Sequence, residues 1–497
     1  MRPISLSLAL EAVGATCFTL ATAAAAAADG NHFVDACNAL AEVLPGKVAF
    51  PNTTMYINQN MYWSNRQGEV HPRCFVTPRS SLDVSKAMKT LTSRRAPFTV
   101  KAGGHTAFEG GSNIDDGVTV DLVHLNDITV SRDRGTVSVG AGNRWINVSQ
   151  ALDPMGLAAV GGRAAGVGVS GLLLGGGISY FSGTYGWACD NVRNYEIVVS
   201  SGEIVNASPD ENPDLYWALR GGGGSNFGIV TRFDLVAFSQ GELWANSIVF
   251  PGERNKTLIP LFQDLTNKGL VENPKAHAYF VLSYQPGLGQ FIALTSLFQF
   301  TPPPQNTIPT AFQNFQSVPA IDQPWGSRQT WWDTSVATTS EKMFHDIVSL
   351  YEAYVNELLA AANGAEVMAY LVFQPISKNI VDAMQKKGGN ALGLKPKDGP
   401  LMIVQVTTTW SDKRLDSLVE KSSEAFIQDV EALSKKRGLF RGFVYMNYAG
   451  KSQDVLRRYG HESFSRLNKV AAKWDPKGVL QELWRGYFQL RGSGNHT

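Results

Sequence analysis

Two patterns of apolar spacing divide the chain. After about Phe238 the periods are long. Phe344, Ile347, Val348, Tyr351, Val355, Leu358 and Leu359 recur at helical spacing and predict an amphipathic helix, and Leu415 to Leu433 predict another. Strand-like runs lie at Ala278 to Ser283, Phe291 to Phe300, Ala369 to Phe373, Leu401 to Thr409 and Gly442 to Tyr448. Strands accompanied by two long helices imply one sheet covered on one face. Residues 71 to 236 read differently, with short apolar runs separated by glycine. Phe98 to Val100, Val118 to Val120 and Thr136 to Val139 predict strands, and Glu196 to Val199 with Glu203 to Val205 flank a hairpin turn at Ser200-Ser201-Gly202. Short helices are expected at Arg144 to Leu152 and Pro213 to Leu219. The fold class is therefore α+β, with many tight turns in the first half. Thr301-Pro-Pro-Pro reads as a surface connection, and no internal repeat is evident.

The 497 residues exceed what one core organises and suit two domains. With 44 Lys and Arg against 43 Asp and Glu and no long block of like charge, the near-balance argues against a nucleic-acid partner, which would need a concentrated basic face. Residues 1–28 read as an export signal: Arg2 at the start, an apolar stretch to Leu20, then the small residues Ala23 to Ala28. The charge at Glu11 leaves too short an apolar run for a membrane anchor. Removal of the signal takes Cys17 with it. The remaining Cys37, Cys74 and Cys189 leave room for one disulfide and a remainder; a Cys37–Cys74 link would tie the N-terminal segment to the first domain, with Cys189 free and buried. Sequons at Asn52, Asn147, Asn206, Asn255 and Asn495 suit a secreted chain.

Three segments carry candidate chemistry. In Lys101-Ala102-Gly103-Gly104-His105-Thr106 a strand ends in two glycines and then a histidine. Glycines at a strand end let backbone N–H groups turn toward an anion and let a diphosphate approach without a Cβ in the way. His105 would stand at the rim of that cradle; the plainer reading is a turn histidine without a partner. The second segment, Gly161 to Gly186, holds ten glycines in 26 residues. Gly166-Val-Gly168-Val-Ser-Gly171 matches the dinucleotide fingerprint in form only, because no buried strand precedes it and Gly175-Gly176-Gly177 interrupts the helix such a site needs. Close backbone approach to a large flat ligand accounts better for Gly168 and Gly171. In the third, Arg220-Gly-Gly-Gly-Gly-Ser-Asn226-Phe-Gly228-Ile229, four glycines exceed what helix capping requires. His124, His277, His345 and His461 are isolated, so no metal site is assigned. Trp325, Trp331 and Trp332 are read as packing residues before cleft residues. No nucleophile elbow supports serine hydrolysis.

Taken in order, these segments, with Gly186-Trp187-Ala-Cys-Asp190-Asn-Val and the late Tyr445-Met-Asn447-Tyr448, resemble the berberine-bridge-enzyme-like branch of the vanillyl-alcohol oxidase superfamily over nearly the whole mature chain. The Cys37 and Cys74 pair is similar to that of fungal secreted members. The resemblance implies a PCMH-type FAD-binding domain of two subdomains at 29–238 and a substrate domain at 239–448, with an antiparallel sheet covered by helices. Residues 449–497 would return to the FAD domain. It implies that His105 bonds to the flavin 8α-methyl carbon and that Lys101, Ala102, Gly103, Gly104 and Thr106 form the diphosphate loop. Gly228 and Ile229 would lie near the adenine end, Asn447 near the isoalloxazine and Gln405 on the substrate-facing sheet, with Tyr448 as catalytic base. Relatives that link FAD twice use a cysteine in a Gly-x-Cys step; here that step is Gly162-Arg163-Ala164, so one covalent link is expected and a less oxidising flavin with it. The implied activity is a secreted, monomeric oxidase that takes an alcohol or amine group of a small, secondary-metabolite-like substrate and passes electrons to oxygen, giving hydrogen peroxide. An oligosaccharide oxidase forming a lactone is an alternative that the missing second tether disfavours. A flavin-retaining cyclase with non-redox chemistry is another.

Overall fold

A computed structural model describes residues 35–286, 289–303, 307–317 and 328–491. The expected export signal, Cys17, Trp325 and the Asn495 sequon lie outside the described residues. Two of the three sheets belong to the glycine-rich half. The first has the spatial order Val48–Ala49, Cys74–Val76, Val118–Asp121, Phe98–Lys101, with the last three strands parallel. The second is antiparallel, in the order Ile128–Val130, Thr136–Gly140, Ile229–Ser239, Val192–Val198, Ile204–Ala207, and Leu157–Ala159 also pairs with Ile229–Ser239. The hairpin at Ser200 to Gly202 is present, with Gly202 at φ 79° closing it.

Gly103, just past the end of Phe98–Lys101, touches the glycine run directly. A Cβ on Gly103 would fall 2.4 Å from the Gly168 Cα, so both positions must be glycine where the two backbones cross. Gly168 caps a helix of only six residues, Val169–Leu174, which Gly175 ends. No parallel strand–helix–strand unit is built on it, consistent with the fingerprint being a match in form only.

The third sheet is a six-stranded antiparallel layer in the order Trp244–Pro251, Gln290–Gln299, Ala276–Gln285, Val367–Ile376, Leu401–Trp410, Arg328–Ala337. Side chains alternate between its faces. Phe280, Leu371, Phe373, Val404 and Val406 pack under Glu341–Ala362 and Asp416–Lys436, whose buried Ile347, Tyr351, Val355, Phe426 and Val430 form the expected apolar stripes. The intervening Tyr279, Val281, Tyr370, Val372 and Gln405 line a cavity on the opposite face.

One expected strand is absent. Gly442 to Tyr448 joins no sheet and ends in the single turn Met446–Tyr448. Phe443, Val444, Tyr445 and Met446 are all buried because the segment runs between two packed layers, and the Tyr445 N–H donates to the Asp333 carboxylate instead of a ladder. Its apolar run reflects burial on every side, not a pleat. The C-terminal residues pack on the first half: Arg485 N donates to Phe98 O at 2.8 Å, and Ser225 Oγ donates to Phe488 O at 2.9 Å. A Cys37–Cys74 disulfide ties the N-terminal segment to the first sheet, and Cys189 is free and buried. No helix among the described residues is long and apolar enough to cross a membrane.

Candidate functional site

A cavity of about 560 Å³ lies between the glycine-rich turns and the bare face of the third sheet, within the range of cofactor and small-molecule sites. All three glycine segments reach it: Ala102 through Thr106 from the first, Gly168 and Gly171 from the second, Gly224, Gly228 and Ile229 from the third. Gln405, Asn447 and Tyr448 close the opposite side. Residues more than 300 positions apart in sequence thus share one wall-to-wall space.

Of the cofactor and catalytic residues that the resemblance implies, Lys101 alone does not line it. Its ammonium turns inward, 3.1 Å from Asp121, donating to Gln59 O at 2.6 Å and lying 4.3 Å from the Tyr62 ring centre. The turn from Gly103 to Thr106 therefore offers the cavity backbone rather than a cation. The N–H groups of Gly104, His105 and Thr106 find no acceptor among the described residues, a condition that an anionic ligand would relieve. Ser112 Oγ, buried at the cavity wall, likewise has no partner. A Cβ on Gly171 would meet nothing within 4 Å, so that glycine leaves open space where the cavity needs it. A long polar ligand with a flat ring, such as FAD, fits this combination of free donors and side-chain-free walls.

His105 is half-buried and stacks on Trp63, ring centres 4.0 Å apart and planes 16° from parallel, with Trp331 at 5.9 Å. Burial, reinforced by the positive charge of Arg144, lowers its pKa to about 4, so the imidazole is neutral at physiological pH. Arg144 is itself fixed by donating to Gly166 O at 2.9 Å. A neutral imidazole held against one aromatic face is a competent nucleophile.

The far end is organised by Arg163, which the sequence marks only as the middle residue of the step whose cysteine is replaced by Ala164. Its Nη1 donates to Gln374 Oε1 at 2.5 Å and lies 3.0 Å from His277 Nε2; its Nη2 donates to the Tyr448 hydroxyl at 2.5 Å. The guanidinium lies 5.0 Å from the Tyr279 ring centre. Burial and the neighbouring guanidinium hold His277 well below the ordinary histidine range, so it is a neutral acceptor. Burial raises the Tyr448 pKa, and Arg163 pulls it back in part. Asn447 donates to Leu172 O at 3.1 Å and to the Tyr445 hydroxyl at 2.9 Å, while Tyr445 accepts the N–H groups of Gly177 and Ile178; Tyr448 is thus anchored to the glycine run. Gln405 Nε2 donates to Thr407 Oγ1 at 3.0 Å, on the cavity face of its strand. Trp331 reaches the cavity, contrary to its reading as a packing residue, because it shares a sheet face with Gln329; Trp332, on the other face, packs among core residues and donates to Glu420 at 3.0 Å. Trp63, Arg163, His277 and Gln374 were not legible as a site. A lone arginine inside a run of small residues was the available signal.

Fold and cavity together define an FAD-dependent oxidoreductase. Residues 72–208 match the FAD binding domain family. FAD-dependent monooxygenase tpcD from Cochliobolus heterostrophus is 34% identical over 95% of this chain and 97% of its own length. Two solved structures share the fold: 6-hydroxy-D-nicotine oxidase from Arthrobacter nicotinovorans, with 19% identity, TM-score 0.71 and 89% of this chain and 97% of that one covered, and a variant of berberine bridge enzyme, with 15% identity, TM-score 0.68 and coverage of 92% and 99%. The chain belongs to the family of fungal FAD-dependent monooxygenases that includes tpcD, and it has the fold of the berberine-bridge-enzyme-like FAD oxidases.

Proposed function

We propose that the protein is a secreted, monomeric oxidase that holds FAD through a single covalent bond to His105 and oxidises an alcohol or amine group of a small organic substrate, with oxygen as acceptor and hydrogen peroxide as product. The observation that carries this reading is the convergence of a neutral, stacked His105 and a Tyr448–Arg163 pair on one cavity walled by glycine backbone. Bound FAD supplies the two-electron acceptor. Gly104, His105 and Thr106 hold the diphosphate through N–H groups, and Gly168 and Gly171 give the ring system room. Ala164, which also lines the cavity, offers no sulfur for a second link. Tyr448 takes the proton of the substrate hydroxyl or amine as its C–H bond is oxidised. Arg163 lowers the cost of the phenolate this requires, and Asn447 keeps the tyrosine in register. Gln405 orients the substrate from the sheet.

Among the described residues the lining contains no carboxylate, and Tyr180, Tyr279, Tyr370 and Trp331 line the substrate end, a wall suited to a flat or extended apolar group. The names of the relatives raise a second reading, in which an oxygen atom enters the product. Acid precipitation of the purified protein tests the first step: flavin fluorescence stays with the pellet. One peroxide per substrate oxidised, with no label from ¹⁸O₂ in the product, supports the oxidase; label in the product and no peroxide supports the monooxygenase.

A further inference from the structure

The charges around the substrate end do not balance. Buried cations elsewhere in the molecule are paired: Lys101 lies 3.1 Å from Asp121, Arg220 lies 3.8 Å from Asp190, and Arg66 contacts Glu420. Such pairing is the rule, because an uncompensated charge out of water is costly. Arg163 breaks it. Its partners are His277, Gln374, Tyr448 and the Tyr279 ring, and no carboxylate forms an ion pair with it among the described residues. Half-buried, it faces the cavity it lines, together with Tyr180 and Val281. Three of its five N–H bonds are committed to Gln374, His277 and Tyr448; one on Nε and one on Nη2 remain. Donors on adjacent nitrogens grip two oxygens of one anion.

We propose that Arg163 is the receptor for an anionic oxygen group of the substrate, a carboxylate or the equivalent acidic enol, which it anchors beside the Tyr448 hydroxyl. A cation facing a mostly apolar space with two donors left over gains most from a ligand that brings the missing charge. Tyr448 shares the same guanidinium, so the anion also fixes the distance between the substrate and that hydroxyl. This assignment depends on the oxidase reading only for which carbon reacts; the charge preference stands on the residues alone.

Titration calorimetry of the purified full chain with 3-phenylpropanoate and with 3-phenylpropanamide, matched in shape and different in charge, tests it. The acid binds about tenfold to a hundredfold tighter than the amide. Arg163→Gln abolishes the difference, and Arg163→Lys retains part of it. No detectable binding of the acid, equal affinities in the unmodified protein, or a preference that persists in Arg163→Gln overturns the proposal. The comparison in the unmodified protein decides it even where the variants fail to fold. A colourless protein that still prefers the acid removes the flavin reading and leaves this one standing.

Discussion

The two ends of the cavity are built by opposite means. Around the glycine turns backbone contributes most of what is distinctive: glycines that touch each other, N–H groups left free, and one imidazole, with apolar side chains such as Phe108 and Leu122 between them. At the substrate end the walls are side chains, drawn from four strands of the third sheet, from Arg163 and from the segment that carries Asn447 and Tyr448. Backbone walls constrain sequence tightly, since few residues tolerate such close approach. Side-chain walls constrain it loosely, since any residue of suitable size can stand on an alternating strand. The first end is therefore fixed toward one ligand while the second is free to change substrates.

The contrast is sharpest for the residues that do chemistry. His105→Ala eliminates acid-stable flavin altogether, read from the fluorescence of the denatured protein; retention of covalent flavin would remove His105 as the tether. Tyr448→Phe leaves flavin content unchanged and lowers kcat/KM by about 10²–10⁴-fold, the usual worth of a positioned base. Equal loss of flavin and activity in that variant would make Tyr448 part of the cofactor wall instead.

Two glycines separate packing from ligand space. Gly103→Ala drives a Cβ to 2.4 Å from Gly168 and costs about 1–3 kcal/mol of stability, seen as a lower denaturation midpoint. Gly171→Ala meets no protein atom, so the fold keeps its stability and the flavin occupancy falls. The smallest effect concerns pH. Burial raises Tyr448 and Arg163 lowers it, so activity that needs the phenolate climbs as pH rises toward the raised value, and Arg163→Gln moves that limb further alkaline. A limb that moves toward acid would show that Arg163 does not stabilise the phenolate.

The same contrast decides what could be read from the chain. Both glycines before His105 line the cavity, whereas of the four after Arg220 only Gly224 does; Gly221, Gly222 and Gly223 are pressed against Leu392, Leu467 and Leu219 instead. The long helices were legible from Phe344, Ile347 and Tyr351, which return every three to four residues to one face. Trp331 and Tyr279 were not, because alternation along a strand does not say which face meets the core and which meets a ligand. Gly442 to Tyr448 misled for a related reason: its apolar residues are enclosed on all sides, a state that periodicity cannot distinguish from a strand. Arg163 gains its meaning only from Gln374, His277 and Tyr448, each more than 100 residues away.

The return of the C-terminal residues has a bearing on biosynthesis. Trp484 and Tyr487 border the cavity, and the carbonyl of Phe488 secures Ser225 and Asn226 beside the glycine turn. A nascent chain extruded only as far as the third sheet still lacks that border. A message truncated near its end would therefore leave the pocket open on that side and Ser225 and Asn226 without their carbonyl acceptor.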